Sequence, residues 1–407
     1  MRICPERQNA PVSAERQYDL ALFGATGFTG GLTARYLAAN GPAGMRWALV
    51  GRNRARLQEV GSALGGSLGE GVPAPELIEA DATDSKALQR LAQAATVIAS
   101  TVGPYALYGE SLVAACAAAG TAYADLTGEP EFVDRIWLGY HEQAQRSGAR
   151  LVHCCGFDSV PHDLGAYFTV KQLPEGVPLR VDGYVRAGAE FSGGSYSSAI
   201  TGFGRARQTV SVARRRRRLE QRPTGRRIHS GAALMRHDAE LGGWVAPLPT
   251  IDGQVVRRSA AALERYGPDF SYGHNFVAKH LAAIGAVAGG VGVAFALAQL
   301  PPARKLLLRL APSPGEGPSE EVRAKSWFRV TFVGEGGGRR VVTEVSGGDP
   351  AYDETAKMLA ESTLCLAYDE LPETSGQVTT AQAMGDALLE RLRRAGIEFG
   401  VREPAAA

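Results

Sequence analysis

The stretch Tyr18 to Tyr36, YDLALFGATGFTGGLTARY, decides the fold. Leu20-Ala21-Leu22-Phe23 is a short apolar run that reads as a buried parallel strand. Gly24, Gly27 and Gly30 follow, and then Leu32, Tyr36 and Leu37 fall at helical spacing. Strand, glycine turn and helix together form the context in which such glycines hold a dinucleotide. Gly24 permits the tight turn, and Gly27 lets the backbone approach a pyrophosphate, which the helix N-terminus holds with its free N–H groups and dipole. Thr26 and Phe28 lie between the glycines and join them as candidate cofactor-binding residues.

The next segments indicate which dinucleotide. Arg46 to Val50 reads as a second strand followed by Gly51-Arg52-Asn53-Arg54. An NAD site places a carboxylate here for the ribose 2′-hydroxyl. Arg52 and Arg54 stand there instead, and a guanidinium suits a 2′-phosphate, so the expected cofactor is NADP(H). Asp81 follows Leu77-Ile78, where a third strand ends near an adenine edge. Thr96 to Thr101 is a fourth strand, running into Val102-Gly103-Pro104-Tyr105; Thr101, Gly103 and Pro104 are expected against the nicotinamide ribose. Ala149 to Cys154 reads as a fifth. Strands alternating with helical patterns give a Rossmann-type doubly wound α/β sheet.

A chain of 407 residues exceeds one ordinary domain. A net charge of +2 and 45% hydrophobic residues fit a soluble enzyme and argue against a disordered or nucleic-acid-binding chain. Residues 1–17 carry charges without an apolar core, so they read as a loose tail rather than a secretory signal. Five cysteines without CxxC spacing give no zinc site and no disulfide framework, so no metal is expected and a reducing cytoplasm suits the chain.

Several further blocks carry a family resemblance: GATGFTG, TVGPYALYGESLVAAC from Thr101, YADLTGE from Tyr123, CGFDSVPHDLG from Cys155, SGGSYSS from Ser192, PGEGPSEE from Pro314, and the segment Thr379 to Ile397. With them the chain resembles the saccharopine dehydrogenase-like oxidoreductases, and within them the bacterial trans-acting enoyl reductases. The resemblance implies a dinucleotide-binding domain over 18–160, an inserted mixed α/β substrate domain over 161–350, and a C-terminal helical segment, 351–407, returning onto the first domain. It also implies NADP(H) chemistry on a lipid-like or polyketide substrate.

Asp125, Asp158 and His162 fall at or near strand ends, at the edge where such sheets bind ligands, and Tyr105 and Tyr108 lie on the loop after the fourth strand. Asp125, Tyr105 and Asp158 are the catalytic candidates, since reduction needs a proton donor. Asp158 reads equally well as a helix N-cap, and His162 as a surface residue of the first turn. Tyr167 and Lys171 have the YxxxK spacing of short-chain reductases, but the helix starts directly after the strand, and an amphipathic Tyr with a solvated Lys is the preferred reading.

In the second half, Leu179–Gly188, Trp327–Val333 and Arg340–Val345 read as strands with Gly-rich hairpin turns. Gly193-Gly194-Ser195 offers either backbone N–H groups to a ligand or a simple turn. Arg214 to Arg218 is either a solvated helix face or a docking site for an anionic membrane surface, a coenzyme A or an acyl carrier protein. His280 to Leu300 contains no Asp, Glu, Lys or Arg; it reads as a buried or lid helix, a segment on a lipid surface, or a spanning helix. The expected function is an NADPH-dependent reductase of a fatty-acyl or polyketide-type intermediate, cytoplasmic or peripheral at the membrane, with homo-oligomers allowed. A saccharopine-type amino-acid dehydrogenase and a non-catalytic lipid-surface protein are the alternatives.

Overall fold

The computed structural model describes residues 16–189, 193–231, 234–310 and 317–402. Strands β1 (Tyr18–Phe23), β2 (Trp47–Gly51), β3 (Glu76–Glu79), β4 (Ala95–Ser100), β5 (Ala122–Asp125) and β6 (Arg150–Val152) alternate with helices. They pair in parallel in the order β3-β2-β1-β4-β5-β6. Leu20 and Leu22 face one apolar core while Ala21 and Phe23 face another. Burial on both faces is why β1 reads as an unbroken apolar run rather than an alternating one. The strand order reverses between β1 and β4, which opens the ligand crevice at their carboxyl ends.

β5 (Ala122–Asp125) is a full member of this sheet, so the segment at Arg150 supplies the sixth strand rather than the fifth. Residues 1–15 lie outside the described part. Arg16, expected in a loose tail, instead donates to the carbonyls of Ala92 at 2.6 Å and Ala119 at 2.7 Å.

The second sheet contains β7 (Leu179–Gly188), β8 (Arg227–Ser230), β9 (Arg236–Asp238), β10 (Gly243–Pro247), β11 (Asp269–Ala278), β12 (Trp327–Gly336) and β13 (Arg339–Gly347). β12 and β13 form the expected hairpin, turning at Gly337 and Gly338 with φ of 56° and 76°. β7 is antiparallel to β12 but parallel to β11, which makes the sheet mixed. The helix Val160–Lys171 packs onto this sheet so closely that a Cβ on Gly165 would lie 2.3 Å from the Phe332 ring. Leu164 and Phe332 belong to the same core as Leu20, so one apolar interior runs through both sheets.

The C-terminal part does more than return a helix. The helix Asp353–Tyr368 does pack on the first domain, where Tyr36 Oη donates to Glu361 at 2.7 Å. β14 (Gly376–Val378) extends the first sheet beside β6, whereas β15 (Glu398–Arg402) pairs with β13 in the second.

Candidate active site

Gly24 ends β1 with φ of 94°, a conformation that suits glycine. Its carbonyl accepts from Gly27 N at 3.0 Å, closing the turn, and Gly27 caps the helix Phe28–Asn40. A Cβ on Gly30 would lie 2.1 Å from the Gly24 carbonyl oxygen. The glycines therefore form a cradle that side chains would fill, and the helix N-terminus offers N–H groups to a pyrophosphate. Thr101 braces the cradle, its hydroxyl donating to Gly24 O at 3.1 Å. Phe28 turns outward from the glycine turn and meets Tyr352 edge-on at 5.0 Å and the Arg323 guanidinium at 5.5 Å, so the segment around Gly317 covers it.

The two arginines after β2 separate in role. Arg54 donates to Leu77 O at 2.9 Å and so ties β2 to β3. Arg52 is exposed and makes no hydrogen bond or salt bridge to a described residue. Asp81 accepts from the Thr83 hydroxyl at 2.6 Å and its N–H at 2.8 Å, and these bonds, with the nearby Arg52 charge, hold its carboxyl below the usual range. The residues thus fit a dinucleotide carrying a 2′-phosphate.

At the other end of the crevice, a Gly103-Pro104 turn with a cis peptide bond follows β4. Tyr105 is buried, its hydroxyl donating to Ser100 O at 2.9 Å and accepting from Leu126 N at 3.2 Å. Burial pushes that phenol far above its usual range, so it joins two strand ends and stays protonated. Asp125 lies in register with Ser100 but turns inward and is fully buried. It pairs with His153 Nδ1 at 2.7 Å and accepts from Thr127 N at 3.0 Å and Cys154 N at 3.2 Å. His153 is packed between Tyr123 and Phe132. The structure thus gives Asp125 and Tyr105 the work of fixing strand ends, rather than a surface open to a substrate.

Glu129 holds the turn from the opposite side. Its carboxylate accepts from Tyr105 N at 2.9 Å, Ala106 N at 2.8 Å and the Ser198 hydroxyl at 3.0 Å. Its neighbour Gly128 abuts Asp158: a Cβ there would lie 2.9 Å from Asp158 Oδ2. Gly128 and Glu129 therefore connect the Gly103-Pro104 turn to Asp158 through adjacent residues.

Asp158 is exposed by surface area, yet it is crowded enough that desolvation, and then the Asp252 charge, raise its carboxyl to about 7. Asp158 thus stands exposed beyond the end of β6, with the Asp252 charge near it. The helix after it is capped at Ser159, not Asp158. Behind it, His162 is buried rather than on the surface, and burial pushes its ring down to about 4, so it is neutral. Asp252 approaches His162 Nε2 at 3.8 Å and His274 Nε2 at 3.3 Å, and it accepts from the Thr250 hydroxyl. Burial opposes its charge, but these partners hold it below the carboxylate range, so it stays ionised. Donor atoms of His162, Asp252 and His274 lie within 4.8 Å of one another. His274 in turn lies 3.3 Å from the Tyr272 hydroxyl.

Other sequence candidates lie away from Glu129 and Asp158. Lys171 pairs with Asp386 at 2.6 Å beside the Tyr167 ring, an amphipathic arrangement tied to the helix Gly385–Arg394. In the arginine run Arg214, Arg215, Arg217 and Arg218 are exposed, but Arg216 is buried against Asp134 at 3.1 Å and over Trp137. Gly193 starts a helix, Gly193–Gly204, whose Ser198 reaches Glu129; residues 190–192 lie outside the described part. An open cavity of about 430 Å³ lies elsewhere, lined by Trp327, Arg329 and Glu398. Glu129 lies inside the YADLTGE block, where its residue type does not set it apart, while Asp252 and His274 carry no local signal, since only the tertiary fold brings them near Asp158.

Comparison with known proteins accords with this geometry. The model of the saccharopine dehydrogenase NADP binding domain matches residues 20–152. A trans-acting enoyl reductase of Mycobacterium tuberculosis is 38% identical over 95% of this chain and 98% of its own. A second protein of that organism, to which the same activity is provisionally ascribed, is 39% identical over 94% and 97%. Among solved structures, apo saccharopine dehydrogenase (L-Glu forming) from Saccharomyces cerevisiae shares the fold, with a TM-score of 0.53 at 11% identity over 94% of this chain and 99% of that one. The chain therefore belongs to the saccharopine dehydrogenase-like oxidoreductases with an NADP(H)-binding domain, in the group named trans-acting enoyl reductases.

Proposed function

We propose that the protein is an NADPH-dependent reductase of an α,β-unsaturated acyl group on a fatty-acyl or polyketide-type chain, with Asp158 as proton donor. The observation that carries this reading is the Asp158 carboxyl, exposed, set against Gly128 and raised to about 7 by burial and the Asp252 charge. A carboxylic acid that keeps its proton near neutrality suits the protonation that completes an enoyl reduction. Gly24, Gly27, Gly30 and Arg52 would hold NADPH, which supplies the hydride. Glu129 and Ser198 fix the turn beside the reacting end, and Asp125 with His153 fixes the strands beneath it.

An amino-acid substrate with several carboxylates needs convergent guanidinium groups. Arg257 lies one turn from Asp252, beside Gly253. Its neighbour Arg258 pairs with Asp134, and Arg217 stands exposed nearby, so Arg257 and Arg217 are the guanidinium groups that such a substrate would use.

The test is isotopic. Enoyl thioester and NADPH deuterated at its transferable position should place deuterium on the β-carbon, and D₂O should place it on the α-carbon. Oxidation of NADPH with oxo acids and ammonia or amines, but not with enoyl thioesters, overturns the proposal.

A further inference from the structure

The helix Leu281–Ala298 has 18 residues with a mean hydropathy of 2.1, yet only 11% of them are buried. A buried core helix is therefore excluded. Val287, Val291 and Val293 are 58%, 50% and 61% exposed, and Phe295, Leu297 and Leu300 are exposed beside them. Gly285, Gly289, Gly290 and Gly292 have no atom within 4 Å of where a Cβ would stand, so no neighbour packs on the glycine positions. The next helix, Pro301–Leu310, exposes Leu306, Leu308 and Leu310. A bare apolar surface of this extent marks a docking site on a soluble protein.

Its charge selects the occupant. Residues 270–315 contain no Asp or Glu, and Lys279, Lys305 and Arg309 are exposed around the apolar surface. A second copy docked here would bring these cations together with no carboxylate from the segment to pair them. An anionic bilayer offers both a hydrocarbon for the valines and phosphates for the rim. The helix is about 27 Å long at 1.5 Å per residue. It does not cross such a bilayer, because both ends are tied to the body. Its start follows β11 directly and buries Ile284; its end buries Ala298, and Gln299 donates to Phe203 O at 2.7 Å.

We infer that Leu281–Leu310 is a monotopic anchor that lies in the interface of an anionic lipid membrane. The anchor touches the site through one helix. Phe203 meets Phe295 at 5.7 Å, and five residues earlier Ser198 donates to Glu129. Resting on the proposed reductase reading, this places the mouth for an acyl chain at the lipid surface.

Flotation with the full chain tests the anchor. Wild type should float with phosphatidylglycerol vesicles at low salt and at least about fivefold less with phosphatidylcholine vesicles or in high salt, as screening weakens the rim. Val287→Glu/Val291→Glu and, separately, Lys305→Glu/Arg309→Glu should stay at the bottom while retaining the wild-type melting temperature and NADPH affinity. Wild type remaining unbound to phosphatidylglycerol vesicles, or a dimer dispersed by Val287→Glu/Val291→Glu in the absence of lipid, overturns it. Turnover of a short, soluble enoyl thioester is read in parallel. Wild type that turns over the thioester but does not float refutes the anchor alone, and wild type that floats without turnover refutes the reductase alone.

Discussion

Gly128 and Asp158 fit together as space and filler: a Cβ on Gly128 would stand 2.9 Å from Asp158 Oδ2. The carboxyl cannot keep this position beside any other residue. Gly128→Ala should therefore push it aside and lower turnover at least about tenfold, roughly 1.4 kcal/mol in the barrier. NADPH affinity, measured by fluorescence titration, should stay within about twofold.

Asp158→Asn should abolish most of the turnover, and its effect on stability has a definite pH dependence. The folded carboxyl sits at about 7 and the unfolded one near 3.8, so the wild type loses stability as pH rises through this window. The asparagine variant lacks that loss. Its melting temperature should match the wild type at pH 4 and exceed it at pH 8. Wild-type turnover should fall above about pH 7 as the proton is lost.

Asp125→Asn disrupts the buried contact of its carboxyl with His153 Nδ1. Leaving a buried polar group without its hydrogen bond costs about 1–3 kcal/mol. Chemical denaturation should show that loss, and the activity of the remaining folded enzyme should fall less than in Asp158→Asn.

Gly30→Ala drives a methyl into the Gly24 carbonyl, where backbone must yield. Overpacking of this kind costs about 1–3 kcal/mol. NADPH binding, read by titration, should be lost with the turn, whereas Gly285→Ala, with open space around it, should change neither.

Arg52→Asp removes an exposed cation and adds repulsion toward a 2′-phosphate. NADPH affinity should fall at least about tenfold, with NADH affinity nearly unchanged. Equal losses for both would place Arg52 outside the phosphate site.

The sheet was legible because β1 is buried on both faces and so announces itself as Leu20–Phe23 before a glycine turn. The cofactor end was legible for the same local reason, since cradle and helix are contiguous. The reacting end was not. Asp125 and Asp158 look alike in sequence, both acidic and near strand ends, yet one turns inward to His153 and the other is exposed. The shift of the Asp158 carboxyl depends on its crowding and on Asp252, brought in from about a hundred residues away. Hydropathy alone also left the helix Leu281–Ala298 open between core and surface, because composition does not say which neighbours are present.

The placement of β14 and β15 bears on synthesis. Domains that emerge first from a ribosome ordinarily fold first. Here the nucleotide-binding sheet lacks its edge strand until Val378 is made, and the second sheet lacks its own until Arg402 is made. Neither sheet is complete before its edge strand is made, so nascent chains halted before Gly376 should be more protease-sensitive than chains that include β14 and β15.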